Sequence, residues 1–396
     1  MLSVQPRLEN SQLMSWLSPF IAVILTLLVS SLLFSWLDVD PVEAFNVFII
    51  QPFADSYNFG ELLVKSTPLM LCAIGLALCY RANIWNIGAE GQLLVGAVAS
   101  GAVAIHATET SSAWWLVLAL SAGVLAGMVW ASIPTWLNRR FHTNIILTTI
   151  MLNYIGFYVL MWGVHGPLAD PQGFGFPESV MFADPVLLPT LFDSGRASIS
   201  IVIAVIIAIV AGVMLYKTLP GFKLRVLGSE RAAAKYAGFS ENKLVWGVML
   251  GAGALAGFAG AAEVTGPIGQ LIPSVSPGYG YAAIIVAYLG RLNPIGVIVA
   301  ALFMGALYMG SDLAQIELGL PTAVTGLSKG LCCFSFWLAI SLSLIASCRI
   351  ALKDLAHQLN QPFAKKKEQH NGRGIDSIFM HCCTQNRNAI TADRAR

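Results

Sequence analysis

Apolar runs long enough to cross a bilayer recur along almost the whole of this chain, and that repetition limits the possible folds more than any single motif. A span needs about 20 predominantly apolar residues as a helix. Ten candidate segments meet or approach that length: 19 to 37, 62 to 80, 88 to 107, 113 to 135, 144 to 164, 198 to 217, 243 to 263, 279 to 290, 294 to 311 and 321 to 347. Only 11% of the 396 residues are charged, against roughly 25% in soluble domains. Lipid is therefore the solvent for most of the molecule, and in lipid every backbone polar group must be paired internally, as a helix does within one segment. Outer-membrane strands would alternate apolar and polar residues, and this sequence does not. The expectation is an all-α, polytopic helical bundle with about nine or ten transmembrane segments, some short or broken.

The placement of charge gives an independent reading of topology, because positive residues flank the cytoplasmic ends of spans. With the N-terminus inside, Arg7, Arg81, Arg139, Arg140, Lys217, Lys223, Arg225, Arg231, Lys235, Lys243 and Arg291 share the cytoplasmic side, and only Lys65 and Arg196 fall outside. Acids such as Glu61, Asp170, Glu178, Asp184 and Asp312 populate the opposite loops. The first segment is followed by Asp38 and Asp40 and not by small residues, so it reads as a retained anchor. The domain division expected is a transmembrane unit over 1 to 348, with an outer loop at 165 to 197 and an inner loop at 218 to 242, and a polar cytoplasmic tail over 349 to 396. Seven cysteines lie either inside an apolar helix (Cys72, Cys79) or beyond residue 331, so no extracellular disulfide framework is indicated.

Three stretches carry residues that lipid would not select. Between Arg81 and Gln92, the polar Asn83, Asn86, Glu90 and Gln92 interrupt apolar sequence. A charge at the centre of a membrane helix costs about 2.5 to 3.5 kcal/mol, so these residues either line a polar path or brace a helix break beside it. The alternative is a cytoplasmic turn closed by Gly88 and Gly91 in which the Glu caps a helix N-terminus. The inner loop offers Ser229 as a helix cap, Glu230 in the first turn, a small-residue face of Ala232, Ala233, Ala234 and Ala237, and Gly238 as a closing residue. Such a helix of about two turns could dock into a groove of another protein, or be an ordinary connector. The third stretch begins at Glu263, which either faces the pathway or lies at the outer surface. It continues through Pro273, Pro277, Gly278, Tyr279, Gly280 and Tyr281 as a punctuated aromatic re-entry that could gate a channel. Gly247, Gly251, Gly253, Gly257 and Gly260 in the seventh span permit close helix approach.

No Gly-x-x-x-x-Gly-Lys-Ser/Thr loop is present to cradle nucleotide phosphates, and no His or Cys spacing suggests a metal or other cofactor. Neither enzymatic activity nor nucleic-acid binding is expected.

At Asn83 to Gln92, and again at Gly221 to Gly228 followed by Ala232 to Gly238, the sequence resembles the permeases of ABC importers in the branched-chain amino acid and ribose superfamily. Within it, the resemblance is to the branch that works with lipoprotein capture subunits of the basic membrane protein type, over about residues 60 to 327. The resemblance implies a multi-pass permease of the bacterial cytoplasmic membrane for nucleosides or related small sugars. Its implied partners are an ABC ATPase subunit, a second homologous permease, a periplasmic or lipoprotein substrate-binding protein and membrane lipid. It further implies that Arg225, Gly228, Glu230, Ala233, Ala234 and Gly238 lie in or beside the ATPase groove as a coupling element. An ion-coupled secondary transporter, with Glu90 or Glu263 as coupling site, is the rival from another class. After Leu327 the chain departs from the family pattern; a shifted reading frame is the expectation there and a genuine solvated tail the alternative.

Overall fold

A computed structural model describes residues 39–321 apart from 174 and 192–194, together with the scattered positions 24, 28–32, 34, 35, 323, 324, 326, 327 and 330. The expected first and last spans and the polar tail, including the reading of the terminus beyond Leu327, fall wholly or mostly outside the described residues. Within them the chain is helical: α1 (Pro41–Phe45), α2 (Ser56–Arg81), α3 (Ala89–Ala104), α4 (Trp114–Phe141), α5 (Ile145–His165), α6 (Ser200–Lys217), α7 (Leu219–Ser229), α8 (Arg231–Tyr236), α9 (Glu241–Glu263), α10 (Tyr279–Leu289) and α11 (Pro294–Glu317). Six of these, α2, α4, α5, α6, α9 with its continuation to Ile268, and α11, are long and apolar enough to span a membrane, while α3 and α10 are shorter apolar helices.

The span expected at 88 to 107 is a helix of only 16 residues, entered from an irregular, non-helical approach. Elsewhere helices run past the apolar windows: α4 continues to Phe141 and α11 to Glu317. Their polar ends keep the backbone ladder even after hydropathy falls.

Helix α2 is the axis of the bundle, packed by α9, α11, α10 and α6, and its residues from Thr67 to Tyr80 are all buried. Cys72 and Cys79 lie on it as buried free thiols. The tightest layer is α3, α4 and α9. A Cβ on Gly96 would come within 2.5 Å of the Gly257 Cα, and one on Gly127 would strike the Gly253 carbonyl. Glycine at these positions lets three backbones touch, which is the packing that works where no hydrophobic force drives helices together in lipid. Gly253, Gly257 and Gly260 face this contact, whereas a Cβ on Gly247 or Gly251 would meet nothing within 4 Å. The expected glycine face is thus narrower than the run of glycines in the sequence.

Among its described residues the loop at 165–197 has a single helical turn, Asp184–Val186, and one bridge, from Thr190 to Ser198. It lies across the segment after α9: Ser179 N–H donates to the Leu271 carbonyl (2.9 Å), Phe182 N–H to Gly269 (2.8 Å) and Leu188 N–H to Thr265 (2.7 Å). These bonds pair an otherwise orphaned backbone and make the loop a cap over the segment that follows α9.

Candidate functional site

Three polar assemblies interrupt the apolar body. The first begins where α2 ends. Residues Asn83 to Ile87 are irregular chain, with Ile84 N–H bonded to the Cys79 carbonyl (2.9 Å), and carry the chain back beside α2, so α3 starts inside the bundle. Its depth follows from α10. The Tyr288 ring, near the C-terminus of α10, stacks on Tyr80 (5.3 Å between centroids) and on Trp85 (6.2 Å). Arg81 Nε donates to the Leu292 carbonyl at 3.0 Å, so the ends of α2 and α10 share one level. Gly280 N–H donates to Glu90 Oε2 at 2.6 Å, and the Tyr281 N–H and Ser276 hydroxyl donate to the same carboxylate. Gly280 precedes Tyr288 by eight residues, so Glu90 lies about 12 Å further into the body at 1.5 Å per residue.

Glu90 is therefore an N-cap supplied in trans. The sequence leaves open a polar path or helix brace and a turn in which the Glu caps a helix; here the carboxylate caps α10 and not Glu90's own helix. Neighbouring groups complete the brace. Gly88 N–H donates to Asn86 Oδ1 (2.8 Å) and the Tyr80 hydroxyl to the Asn86 carbonyl (2.8 Å). Asn153 on α5 accepts from Gly91 N–H and donates to the Ile87 carbonyl, each at 2.9 Å. Gln92 is buried within reach of Asn86, whereas Asn83 is exposed and accepts from Trp85 Nε1. Glu90, held in this way, is poorly suited to the ion-coupling role that the rival reading gave it. Asn153 was not singled out in the sequence; its signal was an amide alone in the apolar run of α5.

The second assembly is a cavity of about 680 Å³ near one end of the bundle, lined by Lys65, Glu263, Tyr279, Tyr281, Tyr308 and Asp312 among mostly apolar side chains. Glu263, 7% exposed, ends α9 immediately before a π-helical turn, Val264–Ile268, of the kind often found at functional sites. Lys65 Nζ pairs with Asp312 at 2.6 Å, and Arg196 grips the buried Glu61 through two bonds of 2.8 and 2.6 Å. Lys65 and Arg196 are the two cations that broke the charge pattern, and each is matched by a carboxylate where it lies. That exception was the signal in the sequence for this end of the molecule. Tyr279 is buried against Tyr308, with ring centroids 5.7 Å apart, while Tyr281 is half-exposed.

The third assembly is at the opposite end. Arg81 reaches the Arg291 carbonyl and the Tyr216 hydroxyl, Arg225 lies over the Tyr216 ring (5.7 Å), Arg231 reaches the Asn83 carbonyl and Arg139 pairs with Glu241 (3.1 Å). The basic residues grouped by sequence are thus joined by contact at one end. The inner loop is two helices. Ser229 closes α7, its hydroxyl bonded to the Arg225 carbonyl, and Glu230 is the N-cap of α8, accepting from Ala232 N–H at 3.3 Å. The expected cap thus moves by one residue, because Ser229 is held by the preceding helix. Gly238, with φ of 75°, closes the element as its residue type allows. The alanine face also needs correction: Ala232, Ala233 and Ala237 are exposed, but Ala234 is buried in the core. A Cβ on Gly228 would strike the Arg81 carbonyl, so that glycine seats α7 against the end of α2. Arg225, Glu230 and Ala233 border a shallow groove of about 280 Å³ with Phe222.

Among the described residues, six helices long and apolar enough to cross a membrane, two shorter apolar helices packed inside the body, a polar cavity at one end and a short exposed helix at the other define a multi-pass helical membrane protein. A family profile described as "Branched-chain amino acid transport system / permease component" matches residues 58–345, and the chain belongs to that family. It is 32% identical to the glucose ABC transporter permease protein TsgB13 of Haloferax volcanii, covering 83% of this chain and 89% of the relative. The guanosine ABC transporter permease protein NupP of Bacillus subtilis is 33% identical over 78% of this chain and 89% of its own length. The nucleoside ABC transporter permease protein NupB of Lactococcus lactis is 26% identical over 76% and 85%. The chain is a transport subunit and not an enzyme.

Proposed function

We propose that this chain is the channel-forming subunit of an ATP-driven importer for nucleosides or related small sugars. It works in the cytoplasmic membrane with its N-terminus inside, beside a second homologous permease, an ABC ATPase and a periplasmic or lipoprotein capture protein. The observation that carries the reading is the match over most of their length to relatives named as guanosine, nucleoside and glucose permeases. The geometry agrees with it: α8 presents Ala232, Ala233 and Tyr236 outward, with Tyr236 97% exposed, while Ala234 roots the helix in the core. An element exposed on one side and anchored on the other transmits an external push to the bundle. ATP closure of the motor moves α7 and α8, and the pathway changes the side to which it opens.

The test has two arms. Affinity capture of the solubilised chain should recover a P-loop ATPase, and uptake driven by an ion gradient with the purified chain alone would overturn the reading. Ala233→Glu puts a charge on the exposed face of α8 and should abolish uptake while ATP hydrolysis continues and membrane insertion is normal. Unchanged uptake would remove the coupling role from this helix.

A further inference from the structure

The cavity near one end of the bundle has a chemistry more specific than its location. Three carboxylates, Glu61, Glu263 and Asp312, share this end with two cations, Lys65 and Arg196. Both cations are already engaged, Lys65 with Asp312 and Arg196 with Glu61. No ion pair among the described residues includes Glu263, yet it is buried and lines the cavity. A buried polar group is costly unless hydrogen-bonded, so this side chain is set to accept bonds from a guest. Around it stand Tyr279, Tyr281 and Tyr308, whose rings offer apolar faces and whose hydroxyls donate or accept. The volume of about 680 Å³ lies within the 300–1,000 Å³ usual for small-molecule sites.

Resting on the importer reading above, we infer that this cavity is a transit site that recognises the hydroxyl-bearing face of a sugar ring: Glu263 accepts hydrogen bonds from adjacent hydroxyls and the tyrosine rings pack against the ring's carbon face. The same features disfavour an amino acid. Its carboxylate would need a cation, and Lys65, the only cation among the described lining residues, is held by Asp312. A ribose and a glucose present the same adjacent hydroxyls, which is what the names of the relatives have in common.

The experiment uses the complete transporter in vesicles, comparing guanosine, 2′,3′-dideoxyguanosine, glucose and leucine. The wild type should take up guanosine or glucose well ahead of the dideoxy compound and leucine. Glu263→Gln should lower uptake of the hydroxylated substrate about tenfold and leave the dideoxy compound unaffected, so that the preference collapses. The capture protein is common to both proteins, so its own selectivity cancels in that comparison. A preference unchanged in Glu263→Gln, or leucine as the favoured cargo, would overturn the inference. Absence of ATP-dependent uptake of any compound by the wild type would overturn the importer reading instead. Tyr281→Leu, which removes the ring at a half-exposed position, is the second arm, read beside Tyr281→Phe, which keeps the ring and loses only the hydroxyl bonded to Asn153. Uptake should fall several-fold in Tyr281→Leu at normal membrane abundance and be kept in Tyr281→Phe, and unaltered uptake in Tyr281→Leu would remove the stacking surface.

Discussion

The cluster around Glu90 and the cluster around Glu263 each centre on a buried glutamate in the same apolar body, yet one is saturated with partners and the other opens on a cavity. Glu90 has two donors from the start of α10 and a third, the Ser276 hydroxyl, from the segment before it, and Asn86 and Asn153 complete the backbone pairing of the re-entrant chain. Glu263 is as buried but joins no ion pair among the described residues and faces about 680 Å³ of space. Cost in lipid alone therefore does not distinguish a structural polar residue from a functional one. What distinguishes them is whether the protein itself fills their hydrogen-bonding capacity.

The largest effect should come from breaking the saturated cluster at its centre. Glu90→Leu leaves two adjacent N–H groups at the start of α10 without an acceptor. Each unpaired buried group costs about 1–3 kcal/mol. The expected result is a marked drop in the thermal midpoint in detergent and reduced membrane abundance. Glu90→Gln keeps an acceptor oxygen and should recover most of the loss. If Glu90→Leu is as stable as the wild type, the bracing role is wrong.

A smaller loss is expected at Asn153, because it supports the same break from α5 with one donor and one acceptor. Interhelical hydrogen bonds in membrane proteins average about 0.6 kcal/mol when measured. Asn153→Ala should accordingly cost about 1–2 kcal/mol, the higher figure reflecting two buried backbone groups left unpaired. Combined with Glu90→Leu it should be less than additive, since both act on one short segment. Strict additivity of the thermal midpoints would argue for two independent braces.

The reach of the sequence follows the same division. Hydropathy found each described spanning helix because the exclusion of charge is local, and charge placement sorted the basic residues onto one end because it depends on loops alone. It could not tell α2 from α4. Their mean hydropathies are 1.9 and 2.1, but 89% of one window is enclosed by protein and only 22% of the other. Lipid and a neighbouring helix are equally apolar, so only the shape of the faces separates them. The partner of Glu90 was illegible for a different reason: it lies 190 residues away, and no local rule pairs residues so distant. Ala234 looked like part of an exposed alanine face because alanine is accepted on either side of a short helix. Lys65 and Arg196 were visible as exceptions to a rule, although their paired acids were not.

The smallest effect on stability belongs to Glu263, which sharpens the contrast. Gln is close to Glu in size, and no ion pair among the described residues is broken by the change. Gln also keeps an acceptor oxygen at the same place, so the buried polar group is not replaced by a void or an apolar one. Glu263→Gln should therefore change stability by no more than about 0.5 kcal/mol, as surface-like substitutions do despite the burial of this one. The thermal midpoint in detergent, measured beside Glu90→Leu in the same preparation, checks it. A loss as large as that of Glu90→Leu would mean that Glu263 also holds the fold together, and the two clusters would then be of one kind.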